Sequence, residues 1–162
     1  MKKVAVVMGS DSDLPVVTAT LKQLETFGIP FEARIISAHR TPREAEAFAA
    51  NARSEGIGVI IAAAGKAAHL AGVLAAYTTL PVIGLPMKSS AMDGLDSLLS
   101  IVQMPSGVPV ATVAIGGAQN AAILAAQIIG VSDDAVAEKL ARFKEDMAGE
   151  VRAKDMELQK KL

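Results

Sequence analysis

The 162-residue sequence contains no cysteine. This excludes a disulfide framework, a thiolate nucleophile and a thiolate metal site, and it fits a cytoplasmic protein. Neither sign of charge is in excess, since 16 basic residues face 17 acidic ones. The basic surface that recognition of a nucleic-acid backbone requires is therefore lacking, and we expect no nucleic-acid partner.

Long apolar runs are missing as well. The first one ends at Met8, where Gly9 and several polar residues follow, so it is too short for a signal sequence or a membrane span. We therefore expect no membrane partner. Hydrophobic residues still make up 51% of the chain, enough to bury the core of one domain at this length. Residues 1–162 are predicted to form a single domain.

Short β-branched runs alternate with longer helical patterns along the chain. This alternation predicts an α/β fold with a parallel sheet covered by helices on both faces. Ligands of such sheets bind where the loops that follow the strands gather, so a site is expected in those loops. The predicted strands are residues 4–8, 31–36, 59–62, 81–85 and 109–114.

Local signals mark the helix boundaries. The first helix should end at Gly28, and the second should begin with Thr41 as N-cap, Pro42 at the first helical position and Glu44 completing a capping box. A mostly apolar helix over 120–129, which ends at Gly130, is expected to be buried on most sides.

Residues 132–162 are predicted to form a C-terminal helical extension, with Ser132 as its N-cap. A terminal helix of roughly 25 residues within this segment measures about 37 Å, more than the radius of a compact domain, and its apolar stripe needs a surface to cover. This favours a homo-oligomer. The stripe comprises Val136, Leu140, Phe143, Met147 and Val151.

A short polar loop follows the first predicted strand. Its backbone N–H groups and hydroxyls are suited to an anion such as phosphate, for which Ser10 is the best contact. Asp13 would repel a phosphate and is better suited to accept hydrogen bonds from sugar hydroxyls. The alternative is purely structural, with Ser12 or Asp13 capping the helix that follows.

Both histidines of the chain also follow predicted strands. His39 lies beside Arg40, whose guanidinium can hold a phosphate through two parallel hydrogen bonds, and His69 lies in an alanine-rich loop. A structural role remains open for each histidine, but their shared placement favours function. No further histidine and no cysteine accompany them, so we predict no metal site. The glycine spacings of phosphate-binding and dinucleotide-binding loops are also absent.

Four segments resemble a known family: MGSDSD at 8–13, SAHRTP at 37–42, AHL at 68–70 and GLDSLLSIVQMPSGVPVATVAI at 94–115. With these segments, the chain resembles the class I N5-carboxyaminoimidazole ribonucleotide mutases of purine (IMP) biosynthesis. The resemblance implies conversion of that compound into 4-carboxy-5-aminoimidazole ribonucleotide, without metal or cofactor. It also implies a homo-octamer of three-layer, flavodoxin-like subunits, with the C-terminal helix packing on a neighbouring subunit.

The resemblance also implies roles for individual residues. His39 matches the catalytic histidine, and the other matching positions belong to the ribonucleotide-binding pocket. The family has glycine where this chain has Lys66, so the lysine either points to solvent or enters the pocket and pairs with a carboxylate or phosphate. The matching pocket positions are Ser10, Ser12, Asp13, Ser37, Ala38, Arg40, Gly65, Lys66, His69 and Leu70.

Two alternative functions stay open at this point. A related class of enzymes carboxylates 5-aminoimidazole ribonucleotide directly with free carbon dioxide. A non-catalytic, flavodoxin-like module that binds a flavin or nucleotide is the second alternative. Flavins usually stack on aromatic rings, whereas Tyr77 and four phenylalanines are the only such residues here, and the phenylalanines fall in predicted helices or strands.

Overall fold

A computed structural model describes all residues from Met1 to Leu162. Five parallel strands form one sheet in the order β2-β1-β3-β4-β5. The strands are β1 (Lys3–Met8), β2 (Phe31–Ile35), β3 (Ile57–Ala64), β4 (Val82–Pro86) and β5 (Ala111–Thr112). The helices are α1 (Leu14–Phe27), α2 (Pro42–Asn51), α3 (Leu70–Tyr77), α4 (Leu95–Val102), α5 (Ala118–Gly130) and α6 (Asp134–Gln159).

The central strands are apolar on both faces because each face supports its own core. Along β1, Val4 and Val6 pack with α1, α5 and α6, whereas Ala5 and Val7 pack with α2 and α3. β3 alternates in the same way. This is the period of two expected for a strand covered on both sides, and it confirms the predicted three-layer α/β/α architecture.

The edge strands differ from the sequence-based prediction. β2 is exposed over its last three residues, and β5 has only two paired residues instead of the six predicted. Pro109 has no N–H to donate to a ladder, which removes the start of the predicted strand. The chain nevertheless keeps following β4, because Val113 N–H bonds the Gly84 carbonyl and Gly116 N–H bonds the Pro86 carbonyl.

Several helix signals were correct and two were wrong. Gly28 ends α1 in the left-handed conformation (φ 66°), as predicted. The capping box at α2 does not form, because the Thr41 side chain makes no cap hydrogen bond and turns back to Ser37 instead. The N-cap of α6 is Asp133, not Ser132, and its carboxylate accepts from Val136 N–H.

Only the first half of the α6 stripe covers the chain's own core. Val136 is fully buried, and Leu140 and Phe143 pack beside it, with Phe143 edge-on to the Phe27 ring. Met147 and Val151, by contrast, are 44% and 66% exposed. The second half of the helix therefore extends beyond the body that the first half covers. None of the helices has the length and apolar content needed to cross a membrane.

Gly84 sets the distance between β4 and α4. A Cβ at this position would lie 2.2 Å from Cγ2 of the fully buried Ile101. We expect Gly84→Ala to lower the free energy of unfolding by about 1–3 kcal/mol, as for other overpacked cores. Gly149→Ala, in α6 with nothing within 4 Å, is the control and should raise it by about 0.5–1 kcal/mol. Thermal midpoints that do not shift in opposite directions would contradict this packing.

Candidate active site

One cavity of about 550 Å³ lies at the carboxyl ends of the strands. The loops that follow β1, β2, β3 and β4 line it, around the point where the chain crosses from the β1–β2 side of the sheet to the β3–β4 side. This is the switch point at which open α/β sheets bind ligands, and the volume suits one small molecule. All eleven residues singled out from the sequence line this cavity.

The loop after β1 is a single 3₁₀ turn, Asp11–Asp13, and Ser10 caps it. The Ser10 hydroxyl accepts from Ser12 N–H at 3.3 Å, and the Ser12 hydroxyl lies 3.0 Å from it. Asp13 occupies the N-cap position of α1, but its side chain makes no cap hydrogen bond there. The side chains of Ser12 and Asp13 remain available to the cavity.

Asp13 carries a carboxyl group whose ionised form is disfavoured. Partial burial is the largest cause and raises the pKa of Asp13, and the neighbouring Asp11 carboxylate raises it further. The Ser10 backbone N–H partly offsets this rise in pKa. A carboxyl group kept in such surroundings is typical of a functional position.

The loop after β2 is held by its own hydrogen bonds. The Thr41 hydroxyl accepts from Ser37 N–H and donates to the Ser37 carbonyl, both at 3.0 Å. The Ser37 hydroxyl in turn accepts from the Arg40 backbone N–H at 3.2 Å and from Nε of its guanidinium at 3.3 Å. The second end of the guanidinium donates to the Gly9 carbonyl at 3.2 Å. Arg40 thus joins the first two loops.

The two histidines meet across the cavity. Nε2 of His39 lies 2.7 Å from Nδ1 of His69, with the rings nearly perpendicular at 89°. One of these nitrogens must carry a proton and the other must accept it. The contact is therefore a hydrogen bond whose donor depends on the tautomers of the two rings. An exposed pair of this kind can give a proton to a ligand and take one back.

The loop after β3 combines buried alanines with one strained residue. Ala64 and Ala68 are buried, and Leu70 begins α3 beneath the cavity. Lys66 has a left-handed backbone, with φ 56°, a conformation that costs a non-glycine residue about 1–2 kcal/mol. Lys66 is exposed and belongs to the cavity lining, and the entry of its ammonium group into the pocket stays a prediction.

Sequence reasoning missed the loop after β4, which adds Lys88, Ser89 and Ser90 to the lining. The buried Ser89 hydroxyl donates to Asp96 at 2.7 Å and accepts from the N–H groups of Met92 and Gly94. Lys88 pairs with Asp93 at 3.0 Å. The sequence signal was weaker here than after β1 and β2, because Pro86 and Met87 separate the predicted strand from these polar residues.

Charges in the lining are mostly positive. Arg40, Lys66 and Lys88 face a single acidic side chain, Asp13. Neither phenylalanine nor tyrosine lines the cavity, so the histidine rings are its only ring side chains. The lining therefore suits a small anionic ligand better than a large stacked cofactor.

Comparison with known proteins identifies the family of this chain. The family model described as AIR carboxylase matches residues 3–150. The N5-carboxyaminoimidazole ribonucleotide mutase of Pyrococcus horikoshii is 57% identical over 156 residues, which cover 96% of this chain and 88% of that protein. The protein of that name from Thermotoga maritima is 55% identical over 159 residues, which cover 98% of this chain and 93% of that protein.

Solved structures agree with the sequence comparison. The crystal structure of Treponema denticola PurE superposes with a TM-score of 0.86 at 30% identity, covering 96% of this chain and 97% of that one. The matched regions span the complete sheet and every loop of the cavity. This chain belongs to the AIR carboxylase family.

Proposed function

We propose that this chain converts N5-carboxyaminoimidazole ribonucleotide into 4-carboxy-5-aminoimidazole ribonucleotide in IMP biosynthesis. Curated relatives of that name, more than half identical along nearly the whole chain, support the reaction. The observation that carries the mechanism is the contact between His39 and His69 inside a cation-lined cavity. The reaction needs such a group because it requires one proton to be given and one to be taken at the same place.

His39 is assigned both proton transfers. Protonation of the exocyclic nitrogen breaks the N–C bond of the carbamate, whose electron pair stays on nitrogen, and carbon dioxide leaves. Carbon 4 of the electron-rich ring then attacks carbon dioxide, and its proton passes to the histidine that has just donated one. Every proton is thereby balanced, and these steps call for neither a metal nor an organic cofactor.

The remaining cavity residues hold the ribonucleotide and keep carbon dioxide close. We assign phosphate binding to Ser10, with Ser12 beside it, and to Arg40, and we assign to Asp13 the hydrogen bonds from the ribose, which their presence in the cavity lining supports. Ser37 fixes the guanidinium, and its neighbour Ala38 completes that wall. The apolar floor near Gly65 and Leu70 limits the access of water to the released carbon dioxide, which raises its effective concentration.

We also propose that the chain is cytoplasmic and that its copies associate. The octamer implied by the family resemblance is the expected assembly. One side of α4 is apolar and consists of Leu95, Leu99 and Val102, each nearly half exposed. On α6, Met147 and Val151 form a second exposed apolar surface. Side chains of this kind are what a subunit contact covers. The sedimentation coefficient of the purified chain measures the association.

A labelling experiment tests the reaction and separates it from direct carboxylation. Substrate carrying heavy carbon in its N5-carboxylate is supplied amid excess unlabelled carbon dioxide and bicarbonate. We expect the label to remain in the carbon 4 carboxylate of the product, because the released carbon dioxide is captured before it escapes. Loss of the label would indicate a carboxylase that uses free carbon dioxide, and the absence of enzyme-dependent product would favour a binding module.

His39→Asn tests the assignment of the proton transfers. The amide keeps a similar size but cannot exchange protons, so turnover should fall by about 10²- to 10⁴-fold while the dissociation constant of the ribonucleotide changes little. Stopped-flow or steady-state rates and calorimetric binding measure the two effects separately. Retained turnover would move both transfers to another group, of which His69 is the nearest.

Asp13→Asn tests how much the partly buried carboxylate lowers the stability of the fold. Because its pKa is raised on folding, the ionised group lowers stability at neutral pH, and this effect disappears below the unfolded pKa of about 4. The variant should therefore be more stable than the parent at pH 7, by less than about 1 kcal/mol because burial is partial, and equally stable near pH 3. Its KM should rise.

Thermal midpoints across this pH range provide the measurement. Asp155→Asn, on the exposed end of α6, is the matched control and should shift neither the midpoint nor KM. A variant at position 13 that is less stable than the parent at neutral pH would mean that the carboxylate supports the fold instead of the site.

A further inference from the structure

Lys66 occupies a backbone conformation that disfavours lysine. Its φ of 56° lies in the left-handed region, and Asp93 is the only other non-glycine residue of the chain with positive φ. Side chains in that region clash with their own backbone, so such residues persist mainly where the surroundings impose them or a function uses them. Glycine at this position would avoid the strain but would carry no side chain into the cavity.

The ammonium group of Lys66 has no partner within the chain. Arg40 donates to Ser37 and Gly9, and Lys88 pairs with Asp93, whereas Lys66 forms no ion pair and no side-chain hydrogen bond. It is therefore the one cation of the cavity lining that is not already held. Because Lys66 is an exposed residue of the cavity lining, a bound anion can recruit its ammonium group without breaking an existing contact.

The position of Lys66 assigns it to one end of the cavity. It precedes His69 by three residues in the same loop, and His69 contacts His39, the residue proposed to move the protons. Arg40 is held by the loops after β1 and β2, where Ser10 also lies. With the phosphate assigned to Arg40 under the proposed function, Lys66 is the unpaired cation of the lining that is left for the reacting end of the ribonucleotide.

We propose that Lys66 binds the carboxylate of the substrate and of the product, and so distinguishes both from the decarboxylated ribonucleotide. This inference rests on the proposed function. Carboxylate and phosphate together require cations at both ends of the cavity, and Arg40 supplies only one of them. Released carbon dioxide is neutral, so a nearby ammonium favours the steps that restore the carboxylate charge and disfavours escape of the intermediate.

A lysine side chain is also suited to bind a carboxylate that moves during the reaction. During the reaction the carboxylate moves from the exocyclic nitrogen to carbon 4, while the phosphate stays fixed. An ammonium on a flexible four-carbon stem, with three rotatable donors, can follow that movement, whereas a rigid guanidinium fork is matched to one orientation. The flexible cation at the reacting end and the fixed cation at the phosphate end thus fit their separate tasks.

Binding measurements on a catalytically silent His39→Asn background test the proposal. Lys66→Gly and Lys66→Asn both remove the charge, and asparagine tolerates the left-handed backbone, while Lys66→Arg keeps the charge. We expect Lys66→Gly and Lys66→Asn to raise the dissociation constant of 4-carboxy-5-aminoimidazole ribonucleotide by roughly 5- to 20-fold. This is the effect of losing one charge-assisted contact at a partly solvated site. The dissociation constant of 5-aminoimidazole ribonucleotide should change by less than about twofold. Lys66→Arg should keep most of the preference for the carboxylated ligand over the decarboxylated one.

Thermal unfolding supplies a second, independent reading. Lys66→Gly should raise the thermal midpoint by a few degrees because it removes the backbone strain, so weaker binding by this variant cannot be ascribed to a damaged fold. Calorimetry at constant salt gives both dissociation constants, and the ratio between the two ligands is the deciding quantity, since a distorted pocket would weaken both alike.

Three results would overturn the proposal. If both ligands bound more weakly by the same factor, the lysine would contact the phosphate or ribose. If Lys66→Asn bound both ligands as tightly as the parent, the charge of Lys66 would have no role in binding. Failure of the chain with His39 intact to bind either ligand would overturn the proposed function itself, and this inference with it. The first two results leave the proposed function intact, so the two failures are distinguishable.

Discussion

The pairing of β1 with β3 is the constraint on which the rest of the molecule depends. The chain places β2 on one side of β1 and then β3, β4 and β5 in succession on the other, so the connections diverge at this pair. Both strands are buried on both faces, which leaves little freedom in their register. The loops that leave their carboxyl ends are thereby brought together, and the cavity forms between them.

Hydrogen bonds within the loops convert this gathering into a defined geometry. Thr41 ties both backbone groups of Ser37, and Ser37 and Gly9 then hold the Arg40 guanidinium. His39 is carried by the same turn and contacts His69 in the loop that follows β3, and the helices after both loops pack on the same face of the sheet. A capping box at α2 would have turned Thr41 toward its own helix. The absence of the helix cap and the rigidity of the site are thus linked, because the Thr41 hydroxyl cannot both cap α2 and hold the backbone of Ser37.

The site carries costs that the fold does not require. Asp13 is kept in surroundings that disfavour its charge, and Lys66 is kept in a backbone conformation that disfavours its side chain. Each free-energy cost is small beside the stabilisation from burying the two apolar cores, one on each face of the sheet. Departures from local preference that cluster in one cavity are typical of a functional site, where the chemistry and not the fold selects the residue.

By itself, the sequence determined the architecture and most of the cavity lining. Alternating β-branched runs and helical periods specify parallel strands with helices on both faces, because burial demands those periods wherever the chain folds. Polar residues directly after strands must then meet at one edge, so Ser10, His39 and His69 could be chosen in advance. Tertiary structure alone decided the contact between the histidine rings, the release of Thr41 from its helix, the shortening of β5, and the contribution of Lys88 and Ser89. These depend on distances between segments far apart in the chain, which no local pattern encodes.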